Sequence, residues 1–281
     1  MLKSRKRIAY RMTSWILPMV LMIGFLSVHA NGAKVRVNPL VIKTTLTPGE
    51  AVKKNLTVRS YSKSSVNIEI KKTDLAMNSS GETRYPGPGN SKRSIAPFME
   101  VKNNEVTLEP EERREIPVTI HLPKSADKLP HWGRLLVSVS GSQESGSGIN
   151  INTNYGIFIF QHSPLLENKK GSLKSMNVNL PGPKEENNNN RINVSATFTN
   201  DCKKILWSNI DFVIKDKSGK TIVSKRKKDK VILPEQNRTF TAEFSKDSLN
   251  GRYLALAIID YGGSKKVGAQ YAFEVSQNKS E

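Results

Sequence analysis

The sequence predicts an all-β protein: two tandem immunoglobulin-like β-sandwiches behind an N-terminal export signal. Three observations carry this. From Val35 onward, short runs rich in Val, Ile, Thr and aromatic residues recur between turn residues. No window of about ten residues or more carries apolar side chains at the 3.6 period of an amphipathic helix. The runs form two series of about seven strands each, the complement of one sandwich apiece, on either side of a Pro-, Gly- and charge-bearing stretch from His162 to Gly171.

Residues 1–30 read as the export signal. Lys3, Arg5, Lys6, Arg7 and Arg11 precede an apolar run from Trp15 to Val28, which ends Val28-His29-Ala30. A basic head, a short apolar body and a small residue at the end fit a secretory signal cleaved after Ala30. Cleavage leaves roughly 250 residues, enough for two ordinary domains with real cores, placed at 34–162 and 171–277. The tail from Ser276 to Glu281 is polar and no apolar segment follows Val275, so no integral membrane span is expected in the mature chain. The expected location is periplasmic.

The first strand series is Val35 to Thr44, Ala51 to Ser60, Val66 to Thr73, Phe98 to Val101, Glu115 to Leu122, Leu135 to Ser140 and Ile149 to Phe160. Turn chemistry punctuates it at Thr47-Pro48-Gly49-Glu50, Tyr85 to Asn90, Glu109-Pro110-Glu111-Glu112 and Gly141 to Gly148. The second series is Leu173 to Leu180, Ile192 to Thr199, Ile210 to Lys215, Thr221 to Lys225, Arg238 to Phe244, Tyr253 to Asp260 and Ala269 to Val275. Asp216-Lys217-Ser218-Gly219 is a hairpin signal within it. The asparagine run ending at Asn190 reads as a solvated loop.

Charge and chemistry narrow the function classes. The chain carries +19, and it stays strongly basic once the five leader charges are removed. In an exported protein, nucleic acid is not the expected partner; an anionic envelope polymer or a lysine-rich solvated face remains. The densest basic run, Lys225-Arg226-Lys227-Lys228 with Lys230, is expected at a hairpin tip kept soluble by lysine. Cys202 is the single cysteine, which excludes a disulfide framework; it is expected to be structural. The four histidines are scattered, without metal-ligand spacing. No nucleophile elbow, zinc-helix motif or phosphate loop occurs, so neither enzymatic activity nor a cofactor is expected. His131-Trp132-Gly133-Arg134 reads as an aromatic packing over one end of a sandwich.

The order Val37-Asn38-Pro39-Leu40, Leu46-Thr47-Pro48-Gly49-Glu50, Phe98-Met99-Glu100-Val101, Val106 to Glu112, Leu122-Pro123 and Trp132 to Val137 resembles the PapD-like domain of periplasmic pilus chaperones. A related order is found in Gram-positive surface proteins of the WxL-associated type. The resemblance covers Val35 to Phe160. It implies a non-enzymatic protein that assists the assembly of exported surface or pilus subunits, lending them the edge of its last first-domain strand. On that strand Ile149, Ile151, Tyr155 and Ile157 are the candidate partner-binding residues, with Ile149 and Ile151 foremost. The family also holds a subunit's C-terminal carboxylate with a basic pair between its domains; Arg36, Lys169 and Lys170 are the candidates here. The alternative is an envelope structural or adhesive protein that binds a protein or a cell-wall polymer.

Overall fold

The computed structural model describes residues 34–141, 152–166, 168–181, 190–247 and 249–276. The leader and its cleavage position, Ile149, Ile151 and the asparagine run before Asn190 lie outside the described residues. No described helix is long and apolar enough to cross a membrane.

The first sandwich begins with β1 (Val35–Asn38), β2 (Val41–Thr45), β3 (Ala51–Ser60) and β4 (Val66–Thr73), followed by a small hairpin of β5 (Ala76–Met77) and β6 (Thr83–Arg84). A 3-10 turn at Ala96–Phe98 leads into β7 (Met99–Val101), β8 (Glu105–Leu108), β9 (Arg113–His121), β10 (His131–Gly141) and β11 (Thr153–His162). One sheet has the order β1-β3-β9-β7, the other β2-β11-β10-β4-β8. The run expected as one strand from Val35 to Thr44 is therefore two. A cis bond joins Asn38 to Pro39; proline offers no N–H for a ladder, and the chain crosses there from one sheet to the other. Alternation then does its ordinary work, burying Val35, Val37, Ile42, Leu56, Val58, Ile116, Val118, Leu135, Val137, Ile157 and Ile159 in one core.

The Pro turns share one construction. Glu50 and Glu112 each send a carboxylate back to the backbone N–H three residues earlier, at Thr47 (2.7 Å) and Glu109 (2.8 Å). Between them, Gly49 (φ 94°) and Glu111 (φ 59°) take the left-handed conformation, the one a type II turn with proline at its second position has at its third. These hydrogen bonds hold both carboxyls below their ordinary pKa.

The second sandwich contains β12 (Gly171–Asn179), β13 (Arg191–Asn200), β14 (Leu206–Asp216), β15 (Thr221–Ile232), β16 (Asn237–Ser245), β17 (Gly251–Asp260) and β18 (Val267–Val275). A sheet β12-β13-β16 faces a sheet β15-β14-β17-β18. Its core gathers Ile192, Val194, Phe198, Ile210, Phe212, Ile214, Phe240, Phe244 and Ile259. The Asp216 turn is as expected: Gly219 N–H donates to Asp216 O (3.0 Å), and the Asp216 carboxylate takes the N–H groups of Ser218 and Lys220. The basic run is not at that tip. Lys225 to Lys230 lie inside β15, which continues to Ile232 because it stays paired with β14 as far as Leu206.

Cys202 sits in a short turn organised by the fully buried Asn200. The Asn200 amide donates to the carbonyls of Lys204, Ile232 and Leu233, while its Oδ1 accepts from Cys202 N–H (3.1 Å) and Sγ (3.1 Å). The thiol is partly buried against the second core, a structural placement.

Candidate functional site

The sandwiches meet through a third apolar cluster. Leu75, Trp132 and Phe160 from the first pack with Ile205 and Leu233 from the second, flanked by Met77, Phe158, Trp207 and Val231. The indole N–H of Trp132 donates to Leu75 O (2.9 Å), satisfying the polar end of a buried ring. Phe160 meets Trp207 edge to face, centroids 5.3 Å apart. This cluster lies on the outer face of the β2-β11-β10 sheet, where Phe158 and Phe160 of β11 serve the junction instead of the first core.

A group of cations gathers at that junction. The Lys43 ammonium caps the Trp207 ring, 3.4 Å from its centroid. Lys169 and Lys204 line one small cavity of about 170 Å³ with Pro130, His162, Ser163, Leu166, Ile205 and Trp207. A methyl group on Gly262 would lie 2.7 Å from Lys169 Nζ, so the glycine turn leaves room for that ammonium. Burial lowers the His162 pKa, and Lys43, Lys169 and Lys204 lower it further. Among the described residues none of the three lysines forms an ion pair. The arrangement is a positively charged recess with a neutral imidazole in it, suited to hold an anion such as a carboxylate.

The first sandwich has a second feature, the edge of β11. β10 pairs with β11 from Thr153 to Gln161, but β2 pairs with it only from Phe158 to His162. Among the described residues no strand pairs with Thr153–Ile157 on the side away from β10. Phe158 N–H donates to Leu40 O (2.9 Å); backbone groups alternate along a strand, so Asn154 and Gly156 direct theirs to the same open side. Leu40 (49% exposed), Val41 (40%) and Tyr85 (38%) stand nearby. Val41 is in register with Phe158, and Tyr85 meets the Phe158 ring at 6.4 Å. The open edge thus has an apolar rim continuous with the junction.

The expected site residues divide. Lys169 is in the cationic recess. Lys170 is exposed beside it, its carbonyl accepting the Asp201 N–H (3.1 Å). Arg36 is elsewhere: it lies on β1 in the other sheet, 5.8 Å from the Tyr61 ring centroid, because the chain changes sheets at Pro39. Lys43, after that crossing, occupies the position toward the second sandwich. Ile157 is fully buried, and its side chain belongs to its own core rather than to a partner. Tyr155 packs against the same core, and its hydroxyl donates to Val35 O. Sequence reasoning missed Lys43 and Lys204, whose signal is only the sheet-crossing proline before one and the Asn200 turn around the other. Among the described residues no three His, Cys, Asp or Glu side chains are placed to share a metal ion.

No family model matches this sequence, and the comparison with curated proteins finds no match. Among solved structures, the chain is similar to the CsuC–CsuE chaperone–tip adhesion subunit pre-assembly complex from the Csu pili of Acinetobacter baumannii. There the identity is 11%, over 85% of this chain and 98% of that one, with a TM-score of 0.47. It is also similar to the YadV chaperone (13% identity, 84% and 99% covered, TM-score 0.45) and to the class 5 fimbriae chaperone CfaA (15%, 87% and 100%, 0.43). The two-sandwich architecture itself is established by the chain's own strand pairings and cores.

Proposed function

We propose that this chain is a non-enzymatic, chaperone-like protein of the periplasm that assists assembly of exported surface or pilus subunits by β-strand addition. The observation that carries the reading is the one-sided pairing of Thr153–Ile157 in β11, next to exposed Leu40 and Val41. An unpaired strand edge with an apolar rim is what an incomplete β subunit needs to complete its sheet. Main-chain hydrogen bonds supply the attraction, and the rim supplies side-chain contact. The cationic recess of Lys43, Lys169 and Lys204 takes the role of the family's basic pair and receives a carboxylate of the subunit. Ile149 and Ile151, upstream in the sequence and outside the described residues, remain candidate partner-binding residues of this reading.

The test is capture from the cell envelope with the tagged, full-length protein, followed by mass spectrometry. Asn154→Pro removes an N–H on the open side while leaving the β10 pairing intact, a change an edge strand tolerates. Capture of one β-rich exported subunit, kept by Asn154→Ala and lost with Asn154→Pro, is the expected result. Capture that is indifferent to the proline sinks strand addition at this edge.

A further inference from the structure

The second sandwich is closed on one side and open on the other. β12 and β18 pack together at one end of the two sheets, while β15 and β16 are the edge strands at the other. Along that open seam the pairing register sets which side chains point inward. Lys225 lies opposite Phe212, Lys227 opposite Ile210 and Lys230 opposite Ser208, and all three β14 residues are buried core positions. Residues in register share a face, so these lysines stand on the inward face at the rim of the seam, Lys225 exposed and Lys227 and Lys230 half-buried. From the facing strand, Arg238 lies 5.9 Å from the Phe240 ring centroid, and Lys225 lies 5.5 Å from that of Phe244.

The two faces of β15 are balanced differently. On the outer face Arg226 pairs with Asp211 at 3.3 Å. Among the described residues Lys225, Lys227, Lys230 and Arg238 have no ion pair. The one acid acting on Lys227 is Glu243, whose carboxylate already bonds Arg191 at 3.3 Å. Burial lowers the Lys227 pKa, and Lys230, Arg238 and Lys225 lower it further, the signature of cations crowded without compensation. Arg238 is also held in place: Nη1 donates to Met77 Sδ (2.9 Å), and its buried Nε has no partner. An inward charge on an edge strand protects it from pairing with other edges. One lysine would do that; three form a line of positive charge about 15 Å long, with the Arg238 guanidinium behind it under the β5–β6 hairpin.

We propose that the β15–β16 seam binds a linear anionic polymer, its charges engaging Lys225, Lys227 and Lys230 in succession. On a strand, alternate residues are roughly 6–7 Å apart, so a chain with repeating phosphodiester or carboxylate groups follows the seam. A flat anionic surface meets the exposed Lys225 but has less access to the half-buried Lys227 and Lys230. This site is separate from the β11 edge and stands or falls without it.

The probes are poly(glycerol phosphate), polygalacturonate and phosphatidylglycerol vesicles, titrated against the intact protein at two salt concentrations. Expected is saturable binding of one or both polymers, weakened by salt and reduced at least tenfold in Lys225→Gln/Lys227→Gln/Lys230→Gln. The two polymers separate phosphate from carboxylate as the charge recognised. A matched triple on the first sandwich, Lys53→Gln/Lys54→Gln/Lys71→Gln, should leave binding within about twofold. Equal loss in both triples means net charge alone attracts the polymer and overturns the proposal; so does binding to vesicles only, or to no probe. Subunit capture by the seam variant should be unchanged, which distinguishes failure here from failure of strand addition. Far-ultraviolet circular dichroism of both triples confirms that the sandwiches remain folded.

Discussion

The ammonium of Lys43, on the first sandwich, rests 3.4 Å from the centroid of the Trp207 ring on the second. A cation over an indole face contributes about 0.5–2 kcal/mol, more as water is excluded. Here the contact sits beside the junction cluster, in which five buried apolar side chains from the two sandwiches meet. A double-mutant cycle of Lys43→Ala and Trp207→Leu should return a coupling energy of about 1 kcal/mol in urea denaturation. Additive losses would mean that the contact does not help join the sandwiches.

Acid should loosen the same junction. Burial and the three lysines depress the His162 pKa below an unfolded value near 6.5. The unfolded chain therefore binds a proton more readily than the folded one. The stabilisation is complete above that unfolded value and is lost as pH falls from it toward the folded pKa. His131 is depressed too, by burial first, with Asp127 opposing, and acts in the same direction. The slope of unfolding free energy against pH below 6.5 should flatten in His162→Gln and in His131→Gln, most in the double variant. A wild-type stability that rises on acidification would contradict this sign.

Asp74 anchors the long loop that follows β6. It is fully buried, and its carboxylate accepts Gly89 N–H (3.2 Å), Ser91 N–H (2.6 Å) and the Ser94 hydroxyl. Asp74→Ala strands these donors, at a cost of about 3 kcal/mol or more, read as a lowered denaturation midpoint. Asp74→Asn, which keeps one acceptor, should recover part of it.

Gly81 closes the β5–β6 hairpin over Arg238. Its φ is 86°, and a side-chain carbon added there would land on the Arg238 guanidinium. Thr239 N–H donates to Ser79 O (2.7 Å) beside it. Gly81→Ala should cost about 2 kcal/mol from strain and overpacking and lift the hairpin, making the segment from Met77 to Thr83 more sensitive to limited proteolysis. Arg238→Ala in the Gly81→Ala background should reverse part of that sensitivity.

Strands were legible where alternation was clean. Ala51–Ser60 and Val66–Thr73 match their predicted limits because one face is apolar and the flanks are turns. Boundaries were lost where tertiary pairing outweighed local composition: Thr221 to Lys225 is extended through four further basic residues because β14 continues beside it. Glu105–Leu108 is too short to stand out from its surroundings and exists as a strand by pairing with β4. The candidate site was legible only in part. Lys169 could be placed near the linker, but the recess draws Lys43 and Lys204 from different sandwiches, and their meeting depends on the crossing at Pro39 and on the Asn200 turn. Ile157 was visible as apolar, yet alternation alone does not say whether such a residue faces its own core or a guest.

The carbonyl of Leu40 receives the N–H of Phe158, and from that point β2 occupies the side of β11 left open further upstream. A strand laid along β11 from its N-terminal end therefore meets a stop. It can run as far as Ile157, where the resident strand begins, and to go further it must peel β2 away from the five positions it holds. The crossing at Pro39 thus works as a ruler: it sets where a visiting strand must end, and so which residue of that visitor arrives beside the junction.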